Sequence, residues 1–417
     1  MRAGIVVIDD GAGADYIDTL KLIDAQYLAA AGTAAFSAQE AQVADSSING
    51  SRPTSLPFRL VDNRIYANVT IDGKGPFLFL FDTGATDSMD SSLARELGIA
   101  AKGNLEAHGA GAGVSGYGLA RVADLGVADA RLHDQIFEVG DDGLGNVEGL
   151  NDRGIVGTEL FQRFVVTIDY ANRRLTLADP KSFDAKNAGV PVRFDFEGNI
   201  IEIMGAFDTV PARLVVDTGS RGDIVLNKPF VERNRLQAKH PTGVMAIGGW
   251  GLGGPVRVYT TRGASLNLGP VQVGNVVAQF ATGDKGALAG SDFDGVIGGG
   301  VLKRFVVTFD YPRQTLYLKP AGTPLEDVGT FDRAGLWFNA SSSGFEIVDV
   351  IPNGPAAEAG LARGDQIVAV DGRPAKSIAV YDLRQWLRNH RPGTTITFTV
   401  HRGGRLHTAR VRLRDIV

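Results

Sequence analysis

Asp-Thr-Gly occurs twice in this chain, each time at the end of an apolar run. The first copy is Leu80-Phe81-Asp82-Thr83-Gly84-Ala85 and the second is Val215-Val216-Asp217-Thr218-Gly219-Ser220. An isolated carboxylate is costly to bury, so a strand that ends on one needs a partner for it or several hydrogen bonds. Two copies suggest that Asp82 and Asp217 are each other's partner. Such a pair cannot easily ionise twice; it holds one proton, and its two macroscopic pKa values belong to the pair. The ionised member can act as general base on a bound water, while the protonated member donates to the oxygen of the carbonyl under attack. That chemistry calls for no metal, no cofactor and no covalent intermediate.

The copies extend beyond the triplets. Gly154-Ile155-Val156-Gly157 follows the first and Gly295-Val296-Ile297-Gly298 the second. Next come Arg163-Phe164-Val165-Val166-Thr167-Ile168-Asp169-Tyr170 and Arg304-Phe305-Val306-Val307-Thr308-Phe309-Asp310-Tyr311, and then the strands Arg174-Leu175-Thr176-Leu177 and Thr315-Leu316-Tyr317-Leu318. Order and spacing are both kept, which is the signature of an internal duplication.

Asp-Thr-Gly with a downstream pair of apolar residues and Gly resembles one lobe of an aspartic protease. The Phe-Val-Val-Thr-(Ile/Phe)-Asp-Tyr strand resembles the bacterial retropepsin-like members. The resemblance spans about residues 55 to 320 and implies a mainly β, bilobal fold with pepsin-like connectivity. It also implies an endopeptidase whose catalytic residues are Asp82 and Asp217. By the same resemblance, Thr83 and Thr218 bond across to the opposite lobe and keep the aspartates coplanar, while Gly84 and Gly219 bring backbone N–H groups to the carboxylates. Ser220 would add a hydroxyl donor to Asp217 that Ala85 cannot give Asp82. Asp87 and Asp90 read as surface residues beside a helix cap.

The elements that must position these groups can be read along the chain. Phe77 to Phe81 is a continuous apolar strand, and Asp90 to Gly98 is a short helix with an acid at its start and glycine at its end. Asn227 opens the equivalent helix of the second copy. Glycine-rich stretches lie between each triplet and its downstream Gly, where retroviral proteases carry flaps. Their candidate flap residues are Gly111, Gly113 and Tyr117 in the first, and Gly249, Trp250 and Gly251 in the second. Gly111, Gly113 and Gly116 spell a dinucleotide fingerprint, but the alternating stretch Leu119 to Val127 reads as a strand where that motif needs a helix.

The last segment is different. Pro352-Asn353-Gly354-Pro355 to Leu361, then Gly364-Asp365-Gln366-Ile367-Val368-Ala369-Val370-Asp371-Gly372, closely resembles a bacterial PDZ domain. Gly335, Leu336, Trp337 and Phe338 would form its carboxylate-binding loop, and Tyr381 to His390 the helix lining its groove. The expected domains are a helical arm and linker at 1–54, a retropepsin-like lobe at 55–185, a second at 186–325, and the PDZ domain at 330–417. Residues 15 to 45 read as an alanine-rich helix and 46 to 57 as a linker.

Composition bounds the rest. The chain has 417 residues, a net charge of −5, 54 glycines and no cysteine. Disulfides, thiolate metal sites and a cysteine nucleophile are thereby excluded. Nothing forms the basic face that nucleic acid binding needs, and no apolar stretch approaches the roughly 20 residues of a membrane span. The six histidines lack ligand spacing. The first ten residues do not read as a signal peptide; resemblance to exported bacterial proteases favours the periplasm, with the cytoplasm as alternative. Expected partners are a peptide or protein substrate and a C-terminal peptide in the PDZ groove. Self-association through the tail Arg414 to Val417 in trans is a further expectation. A catalytically silent peptide-binding protein on the same fold is the alternative function. A glycosidase also uses paired carboxylates, but the duplicated Thr-Gly context has no place in that chemistry.

Overall fold

The computed structural model describes residues 45–49, 52–322 and 328–417. The expected helical arm at 15 to 45 falls almost wholly outside the described residues. The remainder is mostly β, with two β-rich lobes and a C-terminal antiparallel PDZ-type sheet.

Each lobe is built around the strand that ends on its aspartate. In lobe one, the strand Lys74–Phe81 turns inward along its length, from exposed residues at its start to buried ones at its end. Its last residues pair in parallel with Gly154–Val156, through Leu80 to Ile155 and Phe81 to Val156. In lobe two, Val210–Val216 pairs in the same way with Gly295–Ile297, through Val215 to Val296 and Val216 to Ile297. A short strand crosses each pair on the other side, Ser88–Met89 in lobe one and Ile224–Leu226 in lobe two. The apolar pair before each downstream glycine is thus the strand that walls the aspartate. The duplicated order in the sequence is a duplicated three-strand unit.

The lobes meet in a six-stranded sheet. The paired motifs form its centre: Val165–Asp169 runs antiparallel to Phe305–Asp310, with Val166 opposite Phe309 and Ile168 opposite Val307. Thr167 and Thr308 face each other there and share a hydrogen bond of 2.9 Å between their hydroxyls. One continuous apolar core runs through both lobes and this sheet. The PDZ domain has its own core, formed by residues such as Phe338, Ile347, Leu383 and Phe398.

Residues 46 to 57, expected as a linker, instead hold two strands. Ser46–Ile48 pairs with Ala130 to Leu132, and Thr54–Pro57 forms the edge of the interlobe sheet against Leu177 to Arg174. Their Ser, Asn and Pro content hid short edge strands, which need little apolar sequence. The helix Ser91–Leu97 is capped as expected: Asp90 accepts the Leu93 N–H at 2.7 Å, and Gly98 closes the helix at φ +76°. The helix Lys228–Arg233 has Asn227 at its N-cap position.

Candidate active site

Asp82 and Asp217 stand at the same level on opposite sides of the lobe interface. Their backbone N–H groups are tied to the walls beneath, Asp82 to Val156 O at 3.0 Å and Asp217 to Ile297 O at 2.9 Å. Gly84 N–H donates to Asp82 Oδ1 at 2.7 Å and Gly219 N–H to Asp217 Oδ1 at 2.7 Å. The two carboxyl groups lie close enough that each shifts the other's titration. Each lies against the other lobe's glycine. A Cβ on Gly84 would come within 2.8 Å of Asp217 Cγ, and one on Gly219 within 2.1 Å of Asp82 Oδ2. Only glycine leaves room for the carboxylates to meet.

The threonines interlock the lobes beneath the pair. Thr83 Oγ1 donates to Val216 O at 2.8 Å and accepts from Thr218 N–H at 3.1 Å. Thr218 Oγ1 does the reverse, donating to Phe81 O at 2.8 Å and accepting from Thr83 N–H at 3.0 Å. Both threonines are fully buried. Every bond of this grip crosses between lobes, so the separation of the aspartates is fixed by four short contacts rather than by either lobe alone.

Burial raises the pKa of both carboxyls. For Asp82 it is opposed by the neighbouring Asp217 carboxyl and by the glycine N–H groups. For Asp217 burial is reinforced by the nearby charge of Asp82, so its pKa stands well above the ordinary carboxylate range. The pair therefore keeps one proton to a higher pH than a lone aspartate would. Ser220 supports Asp217 through its backbone N–H, at 3.0 Å, and not through its hydroxyl. The hydroxyl asymmetry expected between Ala85 and Ser220 is accordingly a backbone difference.

Both glycine-rich stretches are hairpin tips. Lys102–His108 pairs with Val114–Val127 in the hairpin that is candidate flap one, and Val244–Gly251 with Gly254–Leu268 in candidate flap two. The tips bond to each other, Gly111 N–H to Leu252 O at 2.9 Å and Gly113 N–H to Gly253 O at 2.9 Å. A Cβ on Gly111 would overlap the Gly253 carbonyl carbon at 2.4 Å, and one on Gly251 would press on Ala110 Cβ at 2.9 Å. Gly249 faces open space. Tyr117 does not reach the tip; its buried ring packs beside Gly140. Burial, with help from Asp142, pushes its hydroxyl up to about 12.

Asp87 is not on the surface. It is fully buried, accepts the Gly157 N–H at 2.7 Å, and its own N–H donates to Glu159 at 3.0 Å. Burial, then the Glu159 charge, raises its pKa well above normal. Its counterpart Asp223 pairs with Arg304 at 2.9 Å. Sequence reasoning missed a second set of buried charges beside the dyad loop. Arg221, directly after Asp217-Thr-Gly-Ser, pairs with Asp62 and Glu148 of lobe one; Glu148 also pairs with Arg64. Arg384 of the PDZ domain lies 3.8 Å from Asp62 and from Glu148, and Arg388 lies 2.7 Å from Asp62. Burial would raise Asp62 and Glu148, but these guanidinium groups outweigh it and hold both below the usual carboxylate range. Burial, then Arg221, lowers Arg384 to about 10. A charge at a turn and another in a short loop carry no sequence signal that they converge.

The PDZ carboxylate loop differs from expectation. Gly335 adopts φ +77°, but its N–H and that of Leu336 are taken by the Asp332 carboxylate. Trp337 faces the protease lobes, and Phe338 is core. The tail makes its contacts in cis: Asp415 pairs with Arg333 at 2.7 Å, and Val417 O accepts from Arg262 Nε of lobe two at 3.0 Å.

An aspartyl protease family model matches residues 67–160 and 201–301, and a PDZ domain model matches residues 333–413. The chain carries an aspartyl protease region followed by a PDZ domain. The two matched protease segments coincide with the two aspartate-bearing units described above. A protease with a peptide-binding module is the coarse functional class that follows. No curated protein matches the chain. Among solved structures, the photosystem II D1 C-terminal processing protease is 25% identical over 21% of this chain and 24% of its own, with a TM-score of 0.19. The match thus spans about a quarter of that protein's length, and carries no argument about fold or activity. Among the described residues, no helix is long and apolar enough to cross a membrane.

Proposed function

We propose that this chain is an aspartic endopeptidase in which Asp82 and Asp217 activate a water molecule against a peptide carbonyl. The observation that carries the reading is the dyad itself. Two carboxyl groups, one from each repeat, meet against each other's glycine and each is steadied by a glycine N–H. Burial raises both carboxyls, so the pair keeps one proton: the protonated member can donate while the ionised member takes a proton from water. The two roles belong to one coupled titration. The water would add to the carbonyl carbon as its proton passes to the ionised carboxylate of the pair, and the protonated partner would donate to the carbonyl oxygen. Collapse of the resulting gem-diol, with proton return to the leaving nitrogen, releases an amine and a carboxylic acid. The flaps, bonded tip to tip, would exclude bulk water from the bound peptide.

The PDZ domain would serve recruitment or regulation of substrate. The test is incubation of the full chain with a mixed peptide library and mass analysis of the products. Cleavage that disappears in Asp82→Asn and persists with chelator supports the proposal. Peptide binding with no cleavage at any pH would instead support the silent binding protein.

A further inference from the structure

A PDZ groove lies between an edge strand and a helix and takes an extended peptide. In this chain those two elements are Leu336–Ser341 and Val380–Asn389. The helical turn Gly145–Glu148 of lobe one packs on both. Leu150 clusters with Tyr381, and a Cβ on Gly149 would meet Val380 Cγ1 at 2.5 Å. Arg384 reaches toward Glu148 and also donates to Phe338 O on the strand at 2.8 Å. Lobe one therefore packs against both walls of the groove, and the PDZ domain is anchored on that lobe.

That anchoring brings the neighbouring PDZ strand, Gly344–Val350, against flap two. One carboxylate bridges both strands of the flap: Asp349 accepts from Ile247 N–H at 3.1 Å and from Arg257 Nη1 at 3.2 Å. Ile247 and Arg257 face each other across the hairpin, at the point where its register slips. Nearer the tip, Trp250 stacks on Trp337 at 6.4 Å between ring centres. Behind these contacts lies a cavity of about 100 Å³ lined by Arg221, Gln279, Trp337 and Asp349, so the hairpin is not backed there by close-packed core. The tip of the same flap is bonded to flap one.

We propose that Asp349 latches flap two to the docked PDZ domain, and that the flap opens for substrate only when this bridge is broken. The inference rests on the peptidase reading. A lid held by an added contact populates its open state less, and association falls by the same fraction.

The test uses the full chain and the variants Asp349→Ala and Asp349→Asn. Two readouts are taken. The first is amide hydrogen exchange, followed by mass spectrometry. The second is the association rate of a hexapeptide with a secondary alcohol in place of the scissile carbonyl, followed through the fluorescence of Trp250 and Trp337. Asp349→Ala should raise exchange in residues 244–258 and raise the association rate, each by about tenfold, while kcat changes less than twofold. Asp349→Asn, which keeps an acceptor for Ile247, should fall between. Unchanged exchange and association would overturn the proposal. So would exchange that rises equally through the PDZ domain, since Asp349 would then only hold that domain together. Localised exchange without any hydrolysis by the wild type would sink the peptidase reading and leave the latch on the hairpin standing.

Discussion

Thr218→Val removes one hydroxyl and keeps the shape of the side chain. Two buried backbone groups of lobe one, Thr83 N–H and Phe81 O, then lose their partner. An unsatisfied buried polar group costs about 1–3 kcal/mol, so the variant should lose about 2–6 kcal/mol. With a denaturant slope of about 3 kcal/mol/M, the urea midpoint for loss of activity should fall by about 0.7–2 M. The same grip sets the separation of the aspartates, and a misplacement of order 1 Å can lower kcat about 10²-fold. Thr83→Val should match it, because it orphans Val216 O and Thr218 N–H in the mirrored arrangement. Thr218→Ser keeps the hydroxyl and should recover most of both losses. The double valine variant should be less damaged than the sum of the singles, since both changes dismantle one network. Urea titration and initial rates on one peptide substrate decide the matter. If Thr218→Val matched Thr218→Ser in midpoint and kcat, the grip would not be what fixes the dyad.

Gly219→Ala should abolish hydrolysis more completely than Gly84→Ala, because its Cβ would sit 2.1 Å from a carboxylate oxygen rather than 2.8 Å from a carboxyl carbon; equal residual rates would contradict this. Ser220→Ala should leave the acid limb of the pH–rate profile in place, because Asp217 is met by the backbone N–H; a shifted limb would restore the hydroxyl as donor. Glu148→Gln should cost about 3–5 kcal/mol, since it leaves buried guanidinium groups without their charge partner. Glu148's lowered pKa makes its contribution present above the unfolded value and lost as pH falls through the folded one. Asp87 has the opposite sign: its raised pKa means stability is lost as pH rises through the folded value. Asp87→Asn should therefore flatten the fall in stability above the ordinary carboxylate range, as read from urea midpoints across pH.

The dyad and its walls were legible because they recur. A buried apolar run ending on Asp-Thr-Gly, written twice with the same downstream strands, constrains both lobes at once, and the antiparallel pairing of Val165–Asp169 with Phe305–Asp310 follows from that symmetry. The contents of residues 46 to 57 were not legible, because Ser46–Ile48 and Thr54–Pro57 are edge strands that owe their form to a partner distant in sequence. Asp87 looked like a surface acid because its neighbours are polar; the Gly157 loop that covers it comes from elsewhere in the chain. The docking of the PDZ domain had no local signal at all. It depends on Asp62, Glu148, Arg221 and Arg384, which lie in four separate segments and meet only in the folded chain. The carboxylate-binding role that the PDZ motif suggests for Gly335 to Phe338 meets a local competitor with no signal in the motif: the N–H groups of Gly335 and Leu336 serve Asp332.

The central claim is that Asp82 and Asp217 act as one catalytic unit. The direct measurement is the rate of hydrolysis of one defined peptide by Asp82→Asn, by Asp217→Asn and by the double variant, each shown to fold by its urea midpoint. Each single variant should lose several orders of magnitude, and the double variant should be little worse than either, because partners in one unit are not additive. Substantial hydrolysis by either single variant would contradict the account.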